Sequence, residues 1–212
     1  MIRAYHEMYL NNAMTAMAEA FDYAVNDCKI AGESFVKMFI TSPICSRMEK
    51  GEPAYLRGKS GIEIVRECVY AATGKSIEIE PSGHFSRSPE YWGGWAIAYY
   101  QWYSDRKYVD IFKVICFDDL LCMYPTLHEA DITKFVEVME ERMREAFPDT
   151  NLKRIRTLYG CSQSELAELS GVSLRSIQMY EQRQKDINKA SVTTVSKLAK
   201  ALGCSVEDLI EK

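Results

Sequence analysis

Apolar residues return every three or four positions along most of the chain, the spacing of helices that bury one face. Leu10, Met14, Met17, Phe21, Val25 and Cys28 follow it and predict one long amphipathic helix from about Ile2 to Lys29. A second helical stretch is expected from about Ser34 to Phe39. Ser60-Gly61-Ile62-Glu63 reads as a capping box, in which the serine and glutamate side chains each satisfy a free amide at a helix start. Ile62, Val65, Cys68, Val69 and Ala72 form the apolar face behind it, and Gly74 marks the stop. The stretch KSIEIEPSGHFSRSP alternates only through Ile77 and Ile79 before Pro81 and Gly83, which predicts a loop with at most an isolated strand. Proline loses no needed hydrogen bond at a first helical position, so Ser88-Pro89 opens a helix that runs to about Asp105. A further helical stretch covers Val109 to Met123. Thr126-Leu127-His128-Glu129 reads as another capping box, ahead of Ile132, Phe135, Met139 and Met143. Pro148-Asp149 then punctuates the chain, giving expected domains of 1–148 and 149–212.

The pattern tightens after Asn151 into five short helices. Leu152, Ile155 and Leu158 supply the apolar face of the first, which Gly160 ends. Ser162-Gln163-Ser164-Glu165 caps the second, whose Leu166, Ala167 and Leu169 are expected to face inward. Gly171 suits the left-handed conformation of a tight turn, Val172 fills the angle between helices, and Ser173 caps the third. Two helices meeting at such a glycine turn make a helix-turn-helix. In the third helix Ile177 and Tyr180 are three apart and point to the core. Leu174, Arg175, Gln178, Met179 and Gln182 are left facing outward. Arginine bonds two acceptors of guanine, and leucine or methionine packs on a thymine methyl, so this face has a use if it meets a DNA major groove.

The segment LKRIRTLYGCSQSELAELSGVSLRSIQMYEQ, with VSKLAKALGCSVEDLIE downstream, resembles the Cro-like, XRE-type phage-repressor helix-turn-helix family. The likeness covers Asn151 to Lys212 and implies a five-helix DNA-binding fold that commonly binds inverted-repeat operators as a homodimer. By position, the resemblance implies a phosphate contact for Gln163 at the start of the second helix, beside Ser164. It implies base reading or backbone anchoring for Ser173, Leu174, Arg175, Ser176 and Met179, with the outward-facing Gln178 among them as a candidate contact, and phosphate contacts for Arg183 and Lys185. One departure is that Gln182-Arg183-Gln184-Lys185 replaces the glycine-containing turn often found after the third helix.

Charge sharpens the division. From Asn151 to Lys212 there are 10 Lys and Arg against 7 Asp and Glu, a net of +3, which leaves 16 against 23, or −7, in the residues before. A basic module on an acidic body fits local phosphate contact better than non-specific coating of nucleic acid. The seven cysteines (28, 45, 68, 116, 122, 161 and 204) are odd in number and never form CxxC, so they read as small buried hydrophobes in a reducing cytoplasm. The start, MIRAYHEMYLNNAM, has polar residues throughout and no apolar run of signal-peptide length, and the most apolar segment, Trp92 to Tyr103, is too short to span a bilayer. A cytoplasmic protein with no membrane contact is expected.

Other stretches carry weaker signals. FITSPICSRMEKGEP, from Phe39, lays over GVSLRSIQMYEQRQK, from Gly171, with Cys45 on Ile177, Met48 on Tyr180 and Glu49 on Glu181. Residues 33–74 are therefore either a degenerate second helix-turn-helix or a chance likeness between short helix pairs, and Phe39 fits badly where Gly171 stands. Tyr91, Trp92, Trp95, Tyr99, Trp102 and Tyr103, with Gly93-Gly94, belong to a core helix, an interface or a ligand pocket. His6, His84 and His128 lack metal-ligand spacing, and Asp118-Asp119 point apart on a helix. With no nucleophile elbow, P-loop or dinucleotide fingerprint, neither an enzyme nor a cofactor is expected.

The resulting expectation is an all-α, sequence-specific double-stranded DNA-binding transcriptional regulator, a repressor, dimerised by its helical N-terminal domain. The alternative is an antitoxin-type protein that grips a toxin through residues 1–148 and represses its own operon.

Overall fold

A computed structural model describes residues 3–82 and 87–211. Ile2, Gly83, His84 and Lys212, on which some of the expectations rest, lie outside them. The regular structure among the described residues is helical throughout. None of their helices is long and apolar enough to cross a membrane. The chain separates into two compact units, Met1–Met143 and Arg144–Lys212.

In the first unit the helices are α1 (Leu10–Asp22), α2 (Gly32–Thr41), α3 (Pro43–Glu49), α4 (Pro53–Leu56), α5 (Gly61–Thr73), α6 (Pro89–Ser104), α7 (Tyr108–Val114), α8 (Phe117–Leu127) and α9 (Ile132–Ala146). The middle of the unit is α1, packed along α6 on one side and α5 on another. Its buried positions Ala13, Ala16, Ala18 and Ala20 are small enough for neighbouring backbones to approach. The neighbours answer with glycine. A β-carbon on Gly94 of α6 would stand 2.3 Å from the Met17 carbonyl oxygen, and one on Gly61 of α5 2.4 Å from the Ala20 nitrogen. Larger side chains fill the space above and below this contact: Phe21 meets Phe35 edge-on at 5.4 Å and stacks near Phe117 at 5.7 Å. The aromatic helix α6 is thus largely core, with Trp92, Tyr100 and Trp102 buried.

Several helix boundaries match their chemical signals. Both halves of the Ser60–Glu63 capping box form, and Gly74 ends α5 in the left-handed conformation. Ser88 caps α6, Pro89 occupies its first turn, and Ile77 and Ile79 lie in a loop without a strand. Other boundaries differ from expectation. Instead of one helix from Ile2, α1 begins at Leu10, because the preceding segment is drawn aside onto the end of α6. There the Ala4 N–H donates to the Trp102 carbonyl at 3.1 Å, and the Trp102 indole donates to the Tyr5 carbonyl at 2.9 Å. A π-helical turn at Tyr23–Asp27 follows α1.

The stretch expected as one helix over Val109 to Met123 is two. Ile115 is extended and buried at the break, and the Cys116 sulfur accepts the Asp119 N–H at 3.3 Å to start α8. Cys116 is exposed, as is Cys122, which corrects the expectation that the cysteines are buried. The capping box expected at Thr126 does not form, since Thr126 sits inside α8 and Asp131 accepts the Thr133 N–H at 2.9 Å ahead of α9. Asp119 faces Arg142 at 3.4 Å.

Residues 33–74 do not repeat the glycine-turn geometry. Phe39 is buried within α2, which runs on through Thr41, and Ser42 alone joins α2 to α3 while capping α3. A single linking residue leaves no room for a left-handed turn and a wedge side chain. Cys45 and Met48 are buried, as the overlay with Ile177 and Tyr180 implies, but they belong to a different helix junction.

The α1–α6 contact makes a stability prediction. Gly94→Ala forces a methyl against backbone and should cost about 2 kcal/mol or more, as overpacking does. Gly74→Ala, where an added β-carbon meets nothing within 4 Å, should cost only about 1 kcal/mol for its left-handed backbone. Equal losses for the two variants in urea denaturation would contradict the close packing of α1 on α6.

Candidate nucleic-acid interface

The second unit contains α10 (Asn151–Tyr159), α11 (Gln163–Ser170), α12 (Leu174–Glu181), a 3-10 turn (Ile187–Lys189), α13 (Val192–Leu202) and α14 (Val206–Leu209). Its core gathers Leu152, Leu166, Val172, Ile177, Tyr180, Ile187, Val195, Leu198 and Leu202. Ser162 and Glu165 close both hydrogen bonds of a capping box at the start of α11. Gly171 takes a φ of +65°, Val172 is buried in the angle, and the Ser173 hydroxyl accepts the Ser176 N–H at 3.2 Å to begin α12. The Val172 N–H is held by Ser170 Oγ at 3.2 Å, and that hydroxyl donates to the Leu166 carbonyl at 2.6 Å. Every backbone feature expected of the turn is present.

Two apolar positions depart from the inward faces expected of them. Leu158 is 76% exposed and Leu169 59%, each on the side of its helix away from the core.

The inward face of α12 is Ile177, Tyr180 and Glu181, at i, i+3 and i+4. Glu181 is a carboxylate with only 2% of its side chain exposed, and it is fully engaged. Arg156 of α10 donates to it from Nε at 2.6 Å and from Nη2 at 2.9 Å, while Nη1 donates to the Cys161 carbonyl at 2.7 Å. The Gln163 amide of α11 donates to the same carboxylate at 2.7 Å. One buried carboxylate therefore joins α10, α11 and α12. Its hydrogen bond holds the Arg156 guanidinium above its already high ordinary pKa. Motif spacing does not point to this pair, although the distance of Glu181 from Ile177 along α12 already places it inward.

On the opposite side, Leu174 and Arg175 are exposed, and Ser176, Gln178 and Met179 are half-buried. Arg175 has no ion-pair partner among the described residues. Ser164 and Ser173 are exposed near the two helix starts. Gln163 spends one amide proton on Glu181 and keeps a second for an outside acceptor. Lys185 is exposed, its ammonium 5.6 Å from the Tyr180 ring centre. Arg183 is differently placed: its guanidinium donates to the Pro148 carbonyl at 2.6 Å and the Phe147 carbonyl at 3.3 Å. The position where glycine is often found is filled by Arg183 itself, at a φ of +54°. No group of three or more His, Cys, Asp or Glu residues suited to a metal ion occurs among the described residues.

Residues 152–209 match the family model of helix-turn-helix domains. Neither the curated proteins nor the solved structures returned a match to the chain. The resemblance to the Cro-like, XRE-type domains thus holds for the C-terminal region.

Buried and capping carboxylates give this unit two measurable signatures. Arg156→Met strands a buried carboxylate and should destabilise the second unit by about 3 kcal/mol or more, whereas adding Glu181→Leu should recover most of that loss. Hydrogen exchange at the Leu166 and Ile177 amides reads the difference, and additive losses would argue against direct coupling. Hydrogen bonds from the caps hold the Glu165 and Asp208 carboxyls below their ordinary range. A depressed folded pKa gives stability that is present above the unfolded value, about 4.3 for Glu. It is lost as pH falls through the folded value. Glu165→Gln should therefore flatten the loss of helix stability between about pH 5 and 3, measured by denaturation at each pH.

Proposed function

We propose that the protein is a sequence-specific, double-stranded-DNA-binding transcriptional regulator that acts as a homodimeric repressor. The observation that carries this reading is the two-sided character of α12. Ile177, Tyr180 and Glu181 anchor it inward, leaving Leu174, Arg175, Gln178 and Met179 on the side that a duplex would meet. In that arrangement Arg175 offers two parallel donors to guanine, Leu174 and Met179 offer apolar contact to thymine methyls, and the Gln178 amide serves adenine. Gln163, Ser164, Ser173, Ser176 and Lys185 provide neutral or cationic donors for phosphates on either side.

The net charge of +3 on the last 62 positions supports the same reading, since phosphate neutralisation supplies much of the affinity for a duplex. The preceding part, at −7, is repelled by phosphates and is left to pair two copies. Two domains reading a palindrome need half-sites one helical turn apart, which the pairing must hold in register. Repression follows where such a site overlaps a promoter.

Selection of binding sites from a random duplex pool tests the proposal directly. Full-length protein should recover an inverted repeat. Arg175→Ala should bind that repeat weaker by about 1 to 3 kcal/mol and lose preference at one base pair per half-site. Gln163→Ala should weaken all sequences more evenly, through a lost phosphate donor and the lost hydrogen bond to buried Glu181. Failure of the wild-type protein to enrich any site at low salt would overturn the reading.

A further inference from the structure

The turn behind α12 is bound to the segment ahead of α10, within the second unit. Arg183 holds a left-handed φ of +54°, a conformation costly for a residue with a β-carbon. From there its guanidinium spans 35 positions in sequence to the Pro148 carbonyl, at 2.6 Å, and reaches the Phe147 carbonyl at 3.3 Å. The same group stands 3.5 Å from the Glu211 carboxylate. Glu211 accepts the N–H of Asn151, the first residue of α10, at 2.6 Å. Its own backbone exchanges two hydrogen bonds with the Asn188 side chain, at 2.7 and 2.9 Å. The incoming segment 147–151, the turn 183–188 and the outgoing residues 210–211 thus form one closed ring of polar contacts.

This ring touches α12 through the backbone. The N–H groups of Gln182, Arg183 and Lys185 donate to the carbonyls of Gln178, Tyr180 and Met179, at 2.9, 3.1 and 3.1 Å. These carbonyls belong to the last turn of α12, which otherwise lacks partners. Whatever holds Arg183 therefore holds the end of that helix.

We propose that Arg183 is a positioning residue for DNA recognition and not a phosphate contact, fastening the incoming segment to the turn that carries Lys185 and so setting the pose of α12. A shift of residues 147–151 is then felt at the face that carries Arg175 and Met179. The inference rests on the reading that α12 meets DNA. It revises the phosphate role that position alone assigned to Arg183. The distinguishing chemistry is the planar fork: two carbonyls and a carboxylate need several fixed donors, which a lysine ammonium does not supply, whereas a phosphate contact tolerates lysine.

Arg183→Lys and Arg183→Gly in the full-length chain separate the two roles. Lysine keeps the charge, and glycine accepts the positive φ while removing the fork. Hydrogen exchange at residues 149–151 and 183–188 should speed up in both variants by about tenfold. Both should bind the selected duplex about five- to tenfold more weakly at fixed salt. The slope of affinity against salt should stay at the wild-type value, because no phosphate contact has been lost. Wild-type binding by Arg183→Lys, together with a slope shallower by about one in Arg183→Gly, would instead identify a phosphate contact and overturn the proposal. Unchanged exchange in both variants would overturn it as well. If the wild-type protein selects no duplex, the DNA reading and the recognition role of Arg183 fall together, and the exchange rates still decide whether Arg183 joins the two segments.

Discussion

A carboxylate withdrawn from water must be matched by charge and by hydrogen bonds at each of its oxygens, or it unfolds what surrounds it. Glu181 meets that demand with Arg156 and Gln163, which come from two other helices. The relative placement of α10, α11 and α12 is therefore specified by directional bonds as well as by the apolar contacts of Leu166, Ile177 and Tyr180. A purely apolar interface between such short helices would tolerate sliding. The buried pair does not, because each guanidinium–carboxylate bond has a narrow geometry. It fixes the angle at which α12 turns its other face outward.

The first unit solves its central contact differently. There, α1 is held between α5 and α6 by the removal of side chains, with alanines on one helix meeting Gly61 and Gly94 on the others. Close approach of backbones leaves the large aromatic residues to fill the flanks, and this accounts for the crowded composition of α6. Of the Trp and Tyr stripe, Trp92 and Trp102 are buried, while Trp95, Tyr99 and Tyr103 pack half-buried against the core. Each unit thus adds its own device to an apolar core, directional polar bonds between short helices in the second and steric closeness between longer ones in the first.

Signals with a local mechanism are legible in the amino-acid order alone. The capping boxes at Ser60 and Ser162 form as read, since each needs only residues three apart in the chain. The left-handed turn at Gly171 and the inward pair Ile177 and Tyr180 are equally local. At Thr126 the same signature fails. A capping box competes with continuation of the preceding helix, and there α8 runs on to Leu127. Leu158 and Leu169 fail for another reason: an i, i+3 spacing drifts around the helix, and in α11 it is Ser170, four residues after Leu166, that is buried while Leu169 turns outward.

By itself, the sequence determined the helical class, the division of charge between an acidic body and a basic end, and the helix-turn-helix with its outward-facing Leu174 and Arg175. These follow from periodicity, capping and turn chemistry, all of which act within a few residues. Only the tertiary structure decided that Glu181 is held by Arg156, that α1 closes on Gly94, and that Arg183 reaches Phe147 and Pro148. In each of these cases the partners are brought together by the folding of distant segments, and no spacing along the chain encodes which of several arginines a buried carboxylate will meet.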